Sequence, residues 1–358
     1  MNKRVVVAMS GGVDSSVAAC LLAEKGFDVI GLTMRIGLPD LENGSHVGIG
    51  EQIIADAKRV ADKLGIPHLV LDLGKQFHER VIANFINEYL AGRTPNPCVR
   101  CNEFLKFGDL LQKALALNAD YLATGHYARN VRRNGVYYLK KAIDLKKDQS
   151  YFLYRLSQEK LQRILFPLGN FTKEQVRFIA RNRELPVAKK PESQEICFIS
   201  GSYRDFLASH LEHELEPGNI VDENGKFLGR HKGIPFYTIG QREGLNIACG
   251  YPVFVQSLDP KTNTIVVSRR EGLMRTTFSV ADAVYPSGIL TGRTLLDVRI
   301  RHQSPASSAW VTPLSETTAE FVFKKPRFAI TPGQSAVFYK RETVVGGGVI
   351  DKVIEQEK

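Results

Sequence analysis

Val5-Val-Val-Ala-Met-Ser-Gly-Gly-Val-Asp-Ser-Ser-Val17 is a short apolar strand that runs through a turn of small residues into a helix. Ser10 to Ser16 has the make-up of a phosphate loop, although it lacks the lysine of the Walker pattern. Gly11 and Gly12 let backbone amides approach phosphate oxygens closely. Ser10, Ser15 and Ser16 add hydroxyl donors. Ala8 and Met9 close the strand, and Val13 and Asp14 open the helix, whose positive N-terminal end faces the anion. Val17, Ala18, Leu21 and Leu22 recur at helical spacing behind the loop.

Outward from this loop, strand-like and helix-like patterns alternate. Apolar runs predict strands at 5–9, 28–34, 68–72 and 121–124, with helices at 16–25, 50–64, 76–91 and 107–117. This alternation specifies an α/β fold: a doubly wound parallel sheet with ligands at the carboxyl ends of its strands. Near Ser202 the texture changes, and turn signals at Glu216-Pro217-Gly218, Asn224-Gly225 and Asp259-Pro260 separate short strands. We expect three domains: 1–205 for nucleotide binding and catalysis, a small mainly β central domain at 206–274, and a C-terminal β-barrel at 275–358. The barrel strands are expected at 295–301, 309–311, 319–323, 336–339 and 343–350.

No run in the 358 residues is apolar enough to suggest a membrane span. Ser10, Asp14, Ser15 and Ser16 break up the apolar N-terminus, so it does not read as a signal peptide, and a cytoplasmic location is expected. A net charge of +10 favours polyanionic partners and hints at nucleic acid. Five cysteines, an odd number, argue against a disulfide framework and direct attention to catalytic or metal-binding thiols. Gly92-Arg-Thr-Pro-Asn-Pro-Cys98-Val-Arg-Cys101-Asn102 reads as a proline-punctuated loop leading into a helix near Lys106, and Cys197 follows in Ser193-Gln-Glu-Ile-Cys-Phe198. By spacing alone, Cys98 and Cys101 are a redox pair or half of a metal site. Cys20, in an apolar helix, and Cys249, in a glycine-flanked turn, read as structural.

The loop SGGVDSS resembles the signature of the PP-loop ATP pyrophosphatases. Taken with GLTMR, the GRTPNP and Cys-Asn segment, ATGHYAR (123–129), KDQSYFLY (147–154), ICFI, YTIGQR (237–242) and TPGQSAVFY (331–339), the whole chain resembles the tRNA-specific 2-thiouridylases. The resemblance implies an AMP-forming transferase that thiolates the wobble uridine of tRNAs for Glu, Gln and Lys, acting as a monomer on tRNA with ATP and Mg²⁺. It implies ATP contacts from Ala8 to Ser16 and at Met34 and Gly125. It places Asn96, Pro97 and position 98 at the target base, and His126, in the same strand-end region as Gly125, among the residues that meet the tRNA. Lys147, Asp148 and Gln149 match a tRNA-contacting segment, and Arg301, His302 and Gln334 match further tRNA-contacting positions in the barrel. Cys101 matches the proposed nucleophile, and Cys197 the proposed persulfide carrier.

Many members have Asp where this chain has Cys98, so the acid–base role assigned to that Asp does not transfer. Two sulfur routes are implied. In one, Cys197 delivers a persulfide sulfur and Cys101 assists, with sulfur coming from a donor or relay protein. In the other, Cys98, Cys101 and Cys197 hold a 4Fe–4S cluster whose fourth iron carries sulfide. A different reading keeps the phosphate loop but makes the enzyme a ligase that adenylates a small carboxylic acid.

Overall fold

Val5, Val6 and Val7 are completely buried because their strand is the centre of a parallel sheet. The computed structural model describes residues 2–37, 47–192, 196–199, 201–211 and 215–354, with the side chains of the helix from 47 described from Gly50. Strands β1 (Arg4–Ala8), β2 (Asp28–Arg35), β3 (His68–Asp72) and β4 (Tyr121–Thr124) fall where the sequence predicts them. A hairpin follows, β5 (Ala128–Arg133) and β6 (Val136–Lys141), turned at Asn134 and Gly135 with φ of 50° and 81°. A two-residue strand, β7 (Ile164–Leu165), completes the five-stranded order β3-β2-β1-β4-β7.

Alternate β1 side chains point to opposite faces. Val5 and Val7 join one buried cluster with Val17, Ala18, Leu22 and Val60, from helices α1 (Val13–Glu24) and α2 (Val47–Leu64). Val6, between Val5 and Val7, points to the opposite face and is also fully buried, so β1 is covered on both sides. The chain winds outward to β3 and returns to β4 on the other side of β1. The switch point lies between β1 and β4, at the end that carries the phosphate loop.

Two helices differ from expectation. The one predicted at 107–117 begins ten residues earlier, running through Pro97–Arg100, a π-helical stretch Cys101–Asp109, and Leu110–Ala116. Pro97, a loop signal by sequence, sits in the first helical turn, where a missing N–H costs nothing. Cys98 and Cys101 are thus helical residues three apart, on one face. The helix predicted at 76–91 likewise holds a π-helical stretch, His78–Ile82, between Gly74–Phe77 and Ala83–Leu90.

The chain divides into two units: Met1–Ile82 with Cys98–Gln194 and Arg341–Val345, and Ala83–Pro97 with Glu195–Lys340 and Gly346–Lys358. The second unit contains a four-stranded sheet of β8 (Gly218–Val221), β9 (Phe227–His231), β10 (Phe254–Asp259) and β11 (Thr264–Ser268), in the order β10-β11-β8-β9. Ile220, Val255 and Ile265 fill its core. After it come β12 (Met274–Val284), β13 (Thr294–Arg299), β14 (Ser307–Pro313), β15 (Ala319–Phe328), β16 (Ser335–Lys340) and β17 (Thr343–Ile354). They run β12-β15-β14-β13-β16-β17, and β17 pairs back onto β12 from Thr277↔Ile354 to Val284↔Gly347, closing a six-stranded barrel. Phe278, Phe321 and Phe338 are fully buried there, the first two stacked at 4.8 Å.

Phe85 and Tyr89 explain why 83–97 belongs to the second unit. They pack with Ile199, Leu207 and Leu211 in one cluster, and the Phe85 ring meets Phe198 at 5.4 Å and Phe206 at 5.9 Å. Replacing Phe85 by Ala should cost about 3–5 kcal/mol of stability, read as a lowered urea midpoint for loss of near-ultraviolet circular dichroism. A midpoint within error of wild type would show that this cluster does not hold the segment.

Candidate active site

The phosphate loop is shaped by backbone. Gly11 has φ of 61°, and a Cβ there would lie 2.6 Å from the Ile53 carbonyl oxygen of α2. Gly12 is the N-cap of α1, and no side chain caps the helix. The first-turn amides therefore have no side-chain acceptor, as an anion site requires. Ser15 and Ser16 are buried, and their hydroxyls donate to the Gly12 carbonyl at 3.2 and 2.8 Å. They brace the loop from within, whereas Ser10 is exposed. Gly125, just past β4, packs on the start of α1, where a Cβ would stand 2.7 Å from the Ser15 amide nitrogen. Met34 lies at the carboxyl end of β2, half-buried, in register with Leu71.

Cations gather round this loop in the first unit. Lys173 Nζ lies 2.7 and 2.8 Å from the two carboxylate oxygens of Asp14, and Tyr127 OH donates to the same carboxylate at 2.9 Å. Lys173 is placed by a helix, Lys173–Asn182, that begins with a full capping box between Thr172 and Gln175. Lys190 Nζ donates to the Gly11 carbonyl at 3.1 Å and pairs with buried Asp56 at 2.5 Å. Burial works to raise the Asp56 pKa, but hydrogen bonds from Lys190, Arg59 and Gln52 outweigh it and hold the carboxyl below its ordinary value. Glu192 receives Lys147 at 2.6 Å, Lys173 at 3.0 Å and Arg177 at 3.7 Å. The Lys147 hydrogen bond, aided by Lys173, pulls Glu192 down to about 2 against the cost of its burial. Lys173 was not singled out by sequence; its signal was a lysine in the first turn of a capped helix.

On the thiol helix, Cys101 is buried, whereas Cys98 keeps exposed surface. Crowding by protein raises both thiol pKa values, and the ammonium of Lys106 partly offsets this. His126 is buried, with Nδ1 2.7 Å from Thr124 Oγ1, and its ring lies between Phe107 at 5.8 Å and Phe166 at 6.2 Å. Burial, with Lys106 adding to it, pushes the His126 pKa well below the usual value, so its imidazole is neutral. Lys106 thus acts on both thiols and on His126, a role its sequence position did not reveal.

Asp148 and Gln149 face inward. Asp148 is buried and accepts from the Ala142 and Ser150 amides and the Ser150 hydroxyl, while Gln149 Oε1 accepts from the Tyr127 amide at 2.9 Å. These contacts fix the segment after Gly125 and His126. Lys147 is spent on Glu192.

In the second unit, Cys197 is exposed on a turn whose neighbours Ile196, Phe198 and Ile199 pack against Phe85 and Tyr89. Ser193 and Gln194 of its motif lie outside the described residues. Arg301 donates to the Ala329 carbonyl and to Thr331 Oγ1, and the His302 carbonyl accepts from Arg299. Gln334 Nε2 donates to the Thr94 and Pro95 carbonyls, each at 3.1 Å, next to Asn96 and Pro97. Among the described residues no three His, Cys, Asp or Glu side chains are gathered to hold a metal ion. Cys98 and Cys101 lie in the first unit and Cys197 in the second. No described helix is long and apolar enough to cross a membrane.

Three protein-family models match in series: one described as a tRNA methyl transferase HUP domain over residues 3–201, a tRNA methyl transferase PRC-barrel domain over 204–269, and an aminomethyltransferase β-barrel domain over 275–350. The chain is 47% identical to the tRNA-specific 2-thiouridylase MnmA 2 of Thermoanaerobacter sp. strain X514, over 99% of this chain and all of the relative. It is 46% identical to the tRNA-specific 2-thiouridylase MnmA of Carboxydothermus hydrogenoformans, over 98% of each chain, and to that of Clostridium perfringens strain ATCC 13124, over 99% of each. The chain belongs to the tRNA-specific 2-thiouridylase family.

The Glu192 network gives a pH signature. A carboxyl held low in the folded state stabilises above its unfolded pKa of about 4.5, and that stability fades as pH falls toward 2. Glu192→Gln should cost about 1–2 kcal/mol at pH 7, with the gap to wild type closing between about pH 4.5 and 2. Urea titrations at several pH values would show it; a gap that does not vary with pH would remove the ion pairs as its cause.

Proposed function

We propose that the protein thiolates the 2-position of the wobble uridine in tRNAs for Glu, Gln and Lys, using ATP to activate the oxygen that sulfur replaces. The observation that carries this reading is the anion cradle at the end of β1. There the N-terminus of α1 has no side-chain cap, Gly125 packs against it, and Lys173 and Lys190 stand beside it. Two of the matched family descriptions speak of methyl transfer, the relatives' names of thiolation. A phosphate cradle serves a reaction that consumes ATP, and so favours the relatives.

The uridine O2 attacks the α-phosphorus of ATP, pyrophosphate leaves, and the base is left O-adenylated. Loop amides and the lysines receive the phosphate charge by position and electrostatics. Mg²⁺ bound with ATP would neutralise phosphate charge, and Asp14 is the loop's own carboxylate for it. Asp14 now holds Lys173. Lys173, held by Asp14, stands beside the loop where it would meet phosphate charge.

Sulfur arrives as a persulfide on Cys197, supplied by a donor or relay protein. Its terminal sulfur attacks C2 and AMP departs, leaving the base joined to Cys197 through a disulfide. The Cys101 thiolate then attacks the Cys197 sulfur, which frees the 2-thiouridine and links Cys101 to Cys197, and an external thiol reductant restores both. Exposed Cys197 suits loading by another protein. Neutral His126 suits proton acceptance where Cys98 replaces an acidic residue. We derive no step through an iron–sulfur cluster; the assay below separates that route from the persulfide route. Cytoplasmic action as a monomer completes this reading.

The decisive assay gives purified protein ATP, Mg²⁺, unmodified glutamate tRNA and either a persulfide donor or free sulfide with reconstituted iron, then measures digested nucleosides by mass spectrometry. We expect 2-thiouridine with the persulfide donor, untouched by iron chelation. Product that requires iron would restore the cluster route. Pyrophosphate release driven by a small carboxylic acid without tRNA would make the enzyme a ligase. Cys101→Ser and Cys197→Ser should each lower thiolation by at least about 100-fold while ATP binding stays at wild-type strength. Gly125→Ala should weaken ATP at least about tenfold by calorimetry, since its methyl group would press on the Ser15 amide. Unchanged affinity would mean that phosphate does not sit there.

A further inference from the structure

The helix that carries Cys98 and Cys101 changes register where the thiols sit. Between its α-helical ends, Cys101–Asp109 is π-helical. The Leu110 amide bonds to the Leu105 carbonyl, five residues back. A Cβ on Gly108 would stand 3.2 Å from the Glu103 carbonyl oxygen, again five back, so glycine eases the turn. In this register residues five apart stack along the helix, whereas in an α-helix they diverge by about 140°. Lys106 therefore lies along the row of Cys101, and Phe107 along that of Asn102. Phe107 is fully buried, with its ring 5.8 Å from His126 and 6.0 Å from Phe166.

Helices seldom take an i→i+5 register unaided, so contacts from outside must hold it. Glu103 receives two of them. Arg155 Nε pairs with Glu103 Oε2 at 2.7 Å, the two side chains only 17% and 16% exposed. Lys160 Nζ donates to the Glu103 main-chain carbonyl at 3.1 Å. Beside them, Asn102 Nδ2 donates to the Phe152 carbonyl at 3.1 Å. Lys160 is itself fixed in a short helix, Gln158–Leu161, whose Ser157 cap accepts from its amide at 3.3 Å. Gln158 anchors that helix by spanning the amide and carbonyl of Tyr137 on β6, at 2.9 and 2.7 Å. Desolvation offsets much of the attraction in a pair like Glu103–Arg155, which leaves the fixing of Glu103 as its clearest effect.

We infer that Arg155 and Lys160 are positioning residues: by fixing both the side chain and the carbonyl of Glu103, they hold the thiol helix in its π register. That register sets where Lys106 and Phe107 stand relative to Cys101 and His126. The brace rests on these contacts alone, and its consequence for catalysis rests on the thiolation reading. Relaxation to an α-helix would swing residues 106 and 107 by about 100°, one residue of helix, without removing any reacting group. Lys106 would leave the Cys101 row, and Phe107 the His126 ring. Displacements of about 1 Å can already cost about 100-fold in rate.

Two variants test this. Lys160→Met removes the donor to the Glu103 carbonyl and keeps most of the side-chain bulk. Glu103→Gln removes the charge and keeps the shape. For each, NMR couplings across hydrogen bonds would show whether the Leu110 amide bonds to Leu105, five back, or to Lys106, four back. Affinity for tRNA and kcat at saturating tRNA would be measured alongside. The brace predicts a shift toward the Lys106 acceptor, kcat lower by roughly ten- to hundredfold, and tRNA affinity within about threefold of wild type. Lys160→Arg, which can still donate, should recover most of the loss. An unchanged Leu105 acceptor in both variants overturns the inference. So does a changed register with wild-type kcat, which would make the brace structural only. Weaker tRNA binding with kcat unchanged would put Lys160 on the RNA and overturn it equally. Should Glu103→Gln fail to fold, Lys160→Met leaves the ion pair intact and tests the same register. If wild-type protein makes no thiolated product, the function reading fails, and the acceptor of the Leu110 amide alone decides whether the brace holds the register.

Discussion

An α-helix that ends in open amides, with a glycine where a capping side chain would be, is the constraint on which the first unit is built. Gly12 caps α1 without a side chain, and Gly125 comes close enough that only a glycine fits against the Ser15 amide. Positive groups beside a helix N-terminus are electrostatically unwelcome unless carboxylates hold them. Lys147, Lys173, Arg177, Lys190 and Arg59 stand there against three carboxylates, Asp14, Asp56 and Glu192. That surplus of positive charge is stable because Asp56 and Glu192 stay ionised below their ordinary values, Glu192 down to about 2. An arriving polyphosphate would complete the charge balance and supply the acceptors that the helix end lacks.

The thiols are under the opposite control. Burial raises the pKa of the Cys101 thiol, protein crowded round the sulfur of Cys98 does the same although that residue keeps exposed surface, and Lys106 offsets only part of it. Protonated thiols are poor nucleophiles and resist oxidation. Sulfur transfer therefore needs a proton acceptor at the moment of reaction. Burial supplies one on the same unit by keeping His126 neutral, with Nδ1 on Thr124 Oγ1.

The parts of this arrangement set by local pattern were legible in the sequence. The apolar run of β1, the glycines after it and the alternation of β and α elements gave the parallel sheet and the position of the loop, because burial on both faces leaves no other pattern. The start of the thiol helix was missed because Pro97 signals a loop, and only tertiary packing turns it into a first-turn proline. The β5–β6 hairpin was missed because its strands are half polar, although Asn134-Gly135 was a sufficient turn signal. Lys173 and Lys106 were hidden for another reason. A lysine's role depends on which carboxylate, thiol or imidazole the fold brings to it, and single-sequence spacing carries no trace of that. Asp148 and Gln149 show the converse: the motif stood out, but the side chains hold the backbone around Tyr127 and Ser150.

The same reasoning changes how the barrel is understood. A six-stranded closed barrel has no free edges and holds its turns rigidly, through buried aromatic contacts such as Phe278 on Phe321. Such a body is suited to fixing another segment in place. Its turn at Gly333 and Gln334 is shaped to take the backbone of Thr94 and Pro95, to the point that a methyl group at Gly333 would collide with it. A loop that contains two prolines, and therefore two missing amides, gains little from its own hydrogen bonds. Fastening it from outside resolves that conflict, so that the barrel turn fixes the path of Thr94 and Pro95 ahead of the thiol helix.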